Sequence, residues 1–212
     1  MFFVTILELI GTVAFAISGA VTATKKRMDL LGIMIMGVTT ACGGGVLRDI
    51  MLGRIPPIMF QEPIYAIMGL LTSVVVFIPA KHNWNILESE KVTSIIQIAD
   101  AIGLGIFTAV GVNAVYQAGY GKNTFFAVAL GVITGVGGGV LRDIFAGDRP
   151  YIFVKHIYAC ASLVGALLFI PTYHYFGITA AILVCSISTI VIRMLAAHFR
   201  WSLPKITGDP ES

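Results

Sequence analysis

The stretch Gly43-Gly44-Gly45-Val46-Leu47-Arg48-Asp49 returns letter for letter at Gly137-Gly138-Gly139-Val140-Leu141-Arg142-Asp143. Each copy sits near the end of a long apolar run. Three consecutive glycines soften a helix, since each costs about 1 kcal/mol against alanine in a helix interior. An adjacent Arg–Asp pair is awkward in hydrocarbon, where insertion scales put each charge at roughly 2.5–3.5 kcal/mol at the bilayer centre. A chain that carries this combination twice is using it. The motif marks the centre of a duplicated membrane protein whose halves meet around a polar pathway.

Working outward, the duplication extends well past the motif. Glu8, Gly11, Phe15 and Gly19 match Asp100, Gly103, Phe107 and Gly111, each 92 positions later. Gly37, Gly53 and Pro56 match Gly131, Gly147 and Pro150, each 94 later. Ile64-Tyr65-Ala66 recurs as Ile157-Tyr158-Ala159, and Phe77-Ile78-Pro79 as Phe169-Ile170-Pro171. The offset varies by no more than two positions along the way, so three apolar segments align with three.

Composition sets the class. Of 212 residues, 57% are hydrophobic and 12% charged, with a mean hydropathy of +0.91. A soluble domain of this size would carry far more charge. A bilayer crossing takes about 20 apolar residues, and seven runs qualify: Val4–Thr24, Leu30–Leu52, Ile64–Ala80, Ile95–Gln117, Phe125–Phe145, Ile157–Tyr173 and Ile178–Phe199. The expected fold is an all-α integral membrane protein with seven transmembrane helices. Residues 1–80 form the first three-helix repeat, 81–94 a connecting loop and 95–173 the second repeat. Residues 174–200 form an unpaired seventh helix and 201–212 a tail. Three is odd, so the second repeat enters the membrane from the opposite side. Inverted repeats of this kind place a transport site at their interface.

Basic residues fix an orientation. Lys25, Lys26, Arg27, Lys81, Lys91, Arg149, Lys155, Arg200 and Lys205 fall on one side, against Lys122 and Arg54 on the other. The positive-inside rule then puts the N-terminus outside and the C-terminus in the cytoplasm of a plasma (inner) membrane protein. The first segment lacks the basic start of a signal peptide and reads as a retained helix.

Several classes drop out. A net charge of +3 is too small and dispersed for a nucleic-acid partner. Cys42, Cys160 and Cys185, like His82, His156, His174 and His198, show no metal-ligand spacing. No serine–histidine–acid set is discernible, so neither an enzyme nor a cofactor is expected.

The candidate site follows from the motif. Gly43, Gly44, Gly45 and Gly137, Gly138, Gly139 are read as a helix break lining a pathway, in preference to tight packing alone. Thr39, Thr40 and Thr134 lie on the same helices and offer oxygens to an ion, unless they bond back to their own helix. Arg48, Asp49, Arg142 and Asp143 need partners or water. Adjacent helical residues point about 100° apart, so the expectation is exchange across the repeats, Arg48 with Asp143 and Arg142 with Asp49. The competing reading is a snorkelling pair at each helix end. Glu8 and Asp100 are matched acids read as interfacial, where they would attract cations to a mouth.

With the paired motif in a three-plus-three-plus-one plan, the chain resembles the prokaryotic trimeric intracellular cation (TRIC) channel family over about residues 1 to 200. The resemblance implies a homotrimer with one ion pathway per protomer, bounded by the first, second, fourth and fifth spans. It also implies permeation by monovalent cations, chiefly potassium, in a lipid bilayer. The same domain is also described as a glycine transporter, which implies the alternative of a secondary transporter for a small zwitterion.

Overall fold

The computed structural model describes residues 2–82, 90–154 and 157–201. Most of the expected connecting loop and tail, with Trp84, Lys155, His156 and Lys205, lies outside them. The described residues form helices α1 (Phe2–Lys25), α2 (Leu30–Met51), α3 (Ile58–Gln61), α4 (Ile64–His82), α5 (Glu90–Gln117), α6 (Thr124–Phe145), α7 (Tyr151–Val154) and α8 (Tyr158–His198). Six of these are long and apolar enough to cross a membrane.

Local chemistry sets the helix ends. Asp29 starts α2 by accepting from the Gly32 amide at 2.7 Å, and Asn123 starts α6 by accepting from Phe126 at 3.0 Å. Such side chains satisfy amides that have no carbonyl one turn back. At the other ends, Gly53 (φ 70°) and Gly147 (φ 72°) enter the left-handed region. There they terminate α2 and α6, as glycine does without a Cβ penalty. The short helices α3 and α7 follow at matched positions and were not expected from the sequence.

The 41-residue α8 is two helical arms meeting at Gly177, whose backbone (φ 79°, ψ −179°) is not helical. A Cβ on Gly165 would meet the carbonyl of Cys185 and the hydroxyl of Thr189. Residues on either side of the bend therefore touch, and α8 is a hairpin. Its arms correspond to the last two apolar segments expected from hydropathy.

Helix α5 packs against α1, α6 and α8, while α2 and α6 pack on each other. Where the repeats cross, the rings of Phe15 and Phe107 lie 5.3 Å apart. Phe15 rests on Gly103 and Phe107 on Gly11, each aromatic covering the other repeat's glycine. Ile35, Leu71, Val75, Phe125, Phe176 and Ile187 face outward. An apolar exterior over a core containing buried charge is the arrangement that a lipid solvent rewards.

Candidate functional site

Two charged networks, one per repeat, organise the interior. In the first, the Arg48 guanidinium donates to Glu8 of α1 at 3.2 Å and to Asp49 at 2.8 Å. The Tyr65 hydroxyl of α4 donates to the other Glu8 oxygen at 3.0 Å, and the Ile58 amide of α3 donates to Asp49 at 3.0 Å. In the second, Arg142 donates to Asp100 of α5 at 2.5 Å and to Asp143 at 2.8 Å. The Tyr158 hydroxyl donates to Asp100 at 3.3 Å, and the Tyr151 amide of α7 to Asp143 at 2.8 Å. Acid, arginine, aspartate, tyrosine and short-helix amide recur in the same roles.

This corrects the expected exchange pairing. Arg48 does not reach Asp143, nor Arg142 Asp49; each arginine takes its acid from the first helix of its own repeat. The 100° divergence of adjacent positions is overcome because an arginine stem is long enough to fold along the helix onto the next residue. That residue's carboxylate is itself drawn towards the amide of the following short helix. Nor do Glu8 and Asp100 both sit at mouths: the Asp100 side chain is 1% exposed and Glu8 17%.

The two networks differ in access and in charge. Glu8, Arg48 and Tyr65 line a cavity of about 140 Å³ that reaches Arg54, Glu62, Asn113 and Gln117. The same three residues line a smaller cavity of about 40 Å³ that runs inward to Thr12, Cys42, Gly45 and Phe107. The second network is closed over. Arg142 also donates to Ser18 of the first repeat at 2.6 Å and lies over the Tyr151 ring at 5.0 Å. Arg193 of α8 packs over the Tyr158 ring at 5.2 Å and brings a second cation to this network. The first network, with two carboxylates to its single arginine, carries one surplus negative charge when all three are ionised.

The glycine triplets do not break their helices, and the expected break is corrected: α2 and α6 are helical throughout. Each triplet position has a separate job. A Cβ at Gly43 would meet Leu141, and one at Gly137 would meet Leu47. A Cβ at Gly44 would strike the Thr134 carbonyl, and one at Gly138 the Thr40 carbonyl. These middle glycines let the two backbones touch. Gly45 and Gly139 face the charged networks, where a Gly45 Cβ would find only Arg48 Nη2, at 3.9 Å, and a Gly139 Cβ the Tyr158 hydroxyl at 2.7 Å.

Thr40 and Thr134 are buried and donate back to Met36 and Leu130 at 2.7 and 2.6 Å, satisfying their own helices. Thr39 lines an apolar outer groove with Val38, Gly43, Leu47, Leu141 and Phe145, apart from both networks. Sequence reasoning missed Ser18, Asn113, Tyr65, Tyr158 and Arg193 as members of the site. The repeated Ile-Tyr-Ala triplet held the signal for the tyrosines, and a lone charge within an apolar run held that for Arg193. Ser18 and Asn113 carry no repeat signature.

Comparison with known proteins agrees with this architecture. A sequence profile of the Glycine transporter family matches residues 5–81 and 97–174, the two repeats. The inner membrane protein YadS of Escherichia coli, of the UPF0126 group, is 34% identical over 205 residues, covering 96% of each chain. YvgT of Bacillus subtilis, a UPF0126 membrane protein, is 32% identical over 94% of each chain. A solved TRIC cation channel is 35% identical, covers 98% of each chain and superposes with a TM-score of 0.85. A prokaryotic TRIC channel solved in 0.5 M KCl is 31% identical, with a TM-score of 0.87 over 96% of this chain and all of that one. The chain belongs to the TRIC channel family. The TRIC orthologue of Rhodobacter sphaeroides, at 29% identity and a TM-score of 0.85, shares the fold over 95% of this chain. Within this TRIC fold, both charged networks lie at the ends of the paired glycine helices, α2 and α6.

Proposed function

We propose that the protein is a cation channel, permeable to monovalent cations with potassium preferred. Each protomer carries its own path, along α2 and α6 between α1 and α5, and three protomers assemble in a plasma membrane. The N-terminus faces outside and the C-terminus the cytoplasm, following the distribution of basic residues. The observation that carries this reading is the cavity leading past Glu8 and Arg48 to Gly45, in a fold that superposes on TRIC cation channels along nearly its whole length.

The chemistry supports a cation over an anion. The surplus carboxylate of the first network makes its cavity favourable to positive charge, and the guanidinium sets a barrier that the flanking acids offset. Arg48, Asp49, Arg142 and Asp143 act as a charged gate: the first network stands open to a cavity, while the second is held by Ser18 and Tyr158. Passage requires Arg142 to release Ser18 and the Phe15–Phe107 contact to part.

A second reading is a secondary transporter of a small zwitterion such as glycine, favoured by the profile match and by a cavity lined with both charge signs. Purified protein in planar bilayers under a KCl gradient separates the two. Unitary currents reversing near the potassium equilibrium potential are expected. Saturable uptake of labelled glycine into vesicles, with no unitary current, would overturn the channel.

A further inference from the structure

One polar group inside the larger cavity has no task in the charged networks. Asn113 of α5 is 2% exposed, lines this cavity, and its Oδ1 has no hydrogen-bond partner among the described residues. Burying an amide oxygen without a partner costs free energy, and because Asn113 borders a cavity its oxygen is available to a partner that is not protein. Glu8 lines the same cavity and belongs to the network with a surplus carboxylate. The cavity is also lined by Arg54 and Glu62; with Asp49 held on Arg48, three carboxylates face two guanidiniums, so an amide oxygen here suits a cation, and the ligand must be small to fit about 140 Å³.

The repeat supplies an internal control. The position equivalent to Asn113 in the first repeat is Val21, 92 residues earlier. Val21 is buried in an apolar cluster with Ala80, Val92 and Ile96. The same backbone position thus tolerates valine when no polar cavity adjoins it, and the asparagine belongs to one end of the molecule alone.

We propose that the cavity at Glu8 and Asn113 is a resting site for one partly dehydrated monovalent cation, with Asn113 Oδ1 replacing a water of its shell and the Glu8 carboxylate balancing its charge. This deepens the channel reading, on which its role in conduction rests. The site is one-sided: ions entering from this end pause there before the glycine helices, and at the other end the matching position is the apolar Val21.

Two measurements test it. Single-channel conductance is recorded against KCl concentration for the wild type, Asn113→Val and Asn113→Asp. Valine should raise the half-saturating concentration about fivefold, the effect of one lost polar contact, and aspartate should lower it by about the same factor. Unchanged half-saturation in both variants, with normal wild-type currents, overturns the site and leaves the channel standing. Independently, wild-type crystals grown in rubidium chloride should show an anomalous peak within coordinating distance of Asn113 Oδ1. A peak in a protein that carries no current upholds the site and overturns the channel. No peak near Asn113 overturns the site.

Discussion

The two charged networks were built from one plan and have come to different ends. Around Arg48, a single cation serves two acids and Glu8, 17% exposed, lines a cavity. Around Arg142, the same set is closed by Ser18, by the Tyr151 ring and by Arg193 over Tyr158. The residues of the plan are shared; the residues that differ surround it. Ser18 faces Arg142, whereas the equivalent position in the second repeat is Val110, which offers Arg48 no hydroxyl. Asn113 adjoins the first network, whereas its equivalent Val21 is in an apolar cluster. The two ends thus differ through what packs around a shared plan: one borders a cavity and the other is enclosed.

The largest test of this contrast is Arg142→Leu. It leaves Asp100 and Asp143 buried without their cation, and removing one partner of such a set costs about 3–5 kcal/mol. The thermal midpoint in detergent should collapse. Arg48→Leu should cost about half as much or less, since water can solvate the Glu8 left behind. Equal losses would erase the distinction between the two ends.

The crossing of α2 and α6 comes next. Gly44→Val drives a side chain into the Thr134 carbonyl and should cost about 1–3 kcal/mol. Gly45→Ala meets nothing nearer than Arg48 Nη2 and should stay within about 0.5 kcal/mol in the same unfolding assay. A smaller contrast lies in the tyrosines. Tyr158→Phe removes a buried donor to Asp100 and should cost about 1–2 kcal/mol, against about 0.5–1 kcal/mol for Tyr65→Phe beside the cavity. Smallest of all is Lys26→Ala. Its exposed ion pair with Asp148 links the two repeats at the surface, and its loss should shift stability by less than about 1 kcal/mol and less still in high salt.

The sequence made the helices legible because lipid leaves few alternatives: hydropathy and length located α2, α4 and α6 to within a few residues. The Gly177 bend was also legible, as a gap between two apolar runs. The duplicated motif located the two charged networks, yet two relations among its residues came out differently. Gly43–Gly45 look like a break when read along one helix. Only the facing helix shows that Gly44 is needed for contact with Thr134 and Gly138. Arg48 and Asp49 diverge on a helical wheel, but the wheel ignores stem length and the pull of the Ile58 amide. Asn113 and Ser18 were invisible because their importance lies in a cavity and a neighbour, and neither has a periodic or repeated signature.

One consequence reaches back to synthesis. In both repeats the acid precedes its arginine, by 40 residues for Glu8 and Arg48 and by 42 for Asp100 and Arg142. As the chain is threaded into the bilayer from its N-terminus, the carboxylate is already waiting one helix earlier when the guanidinium arrives. Neither arginine has to linger alone in oil, and each copy can settle its own charges before the next one is made.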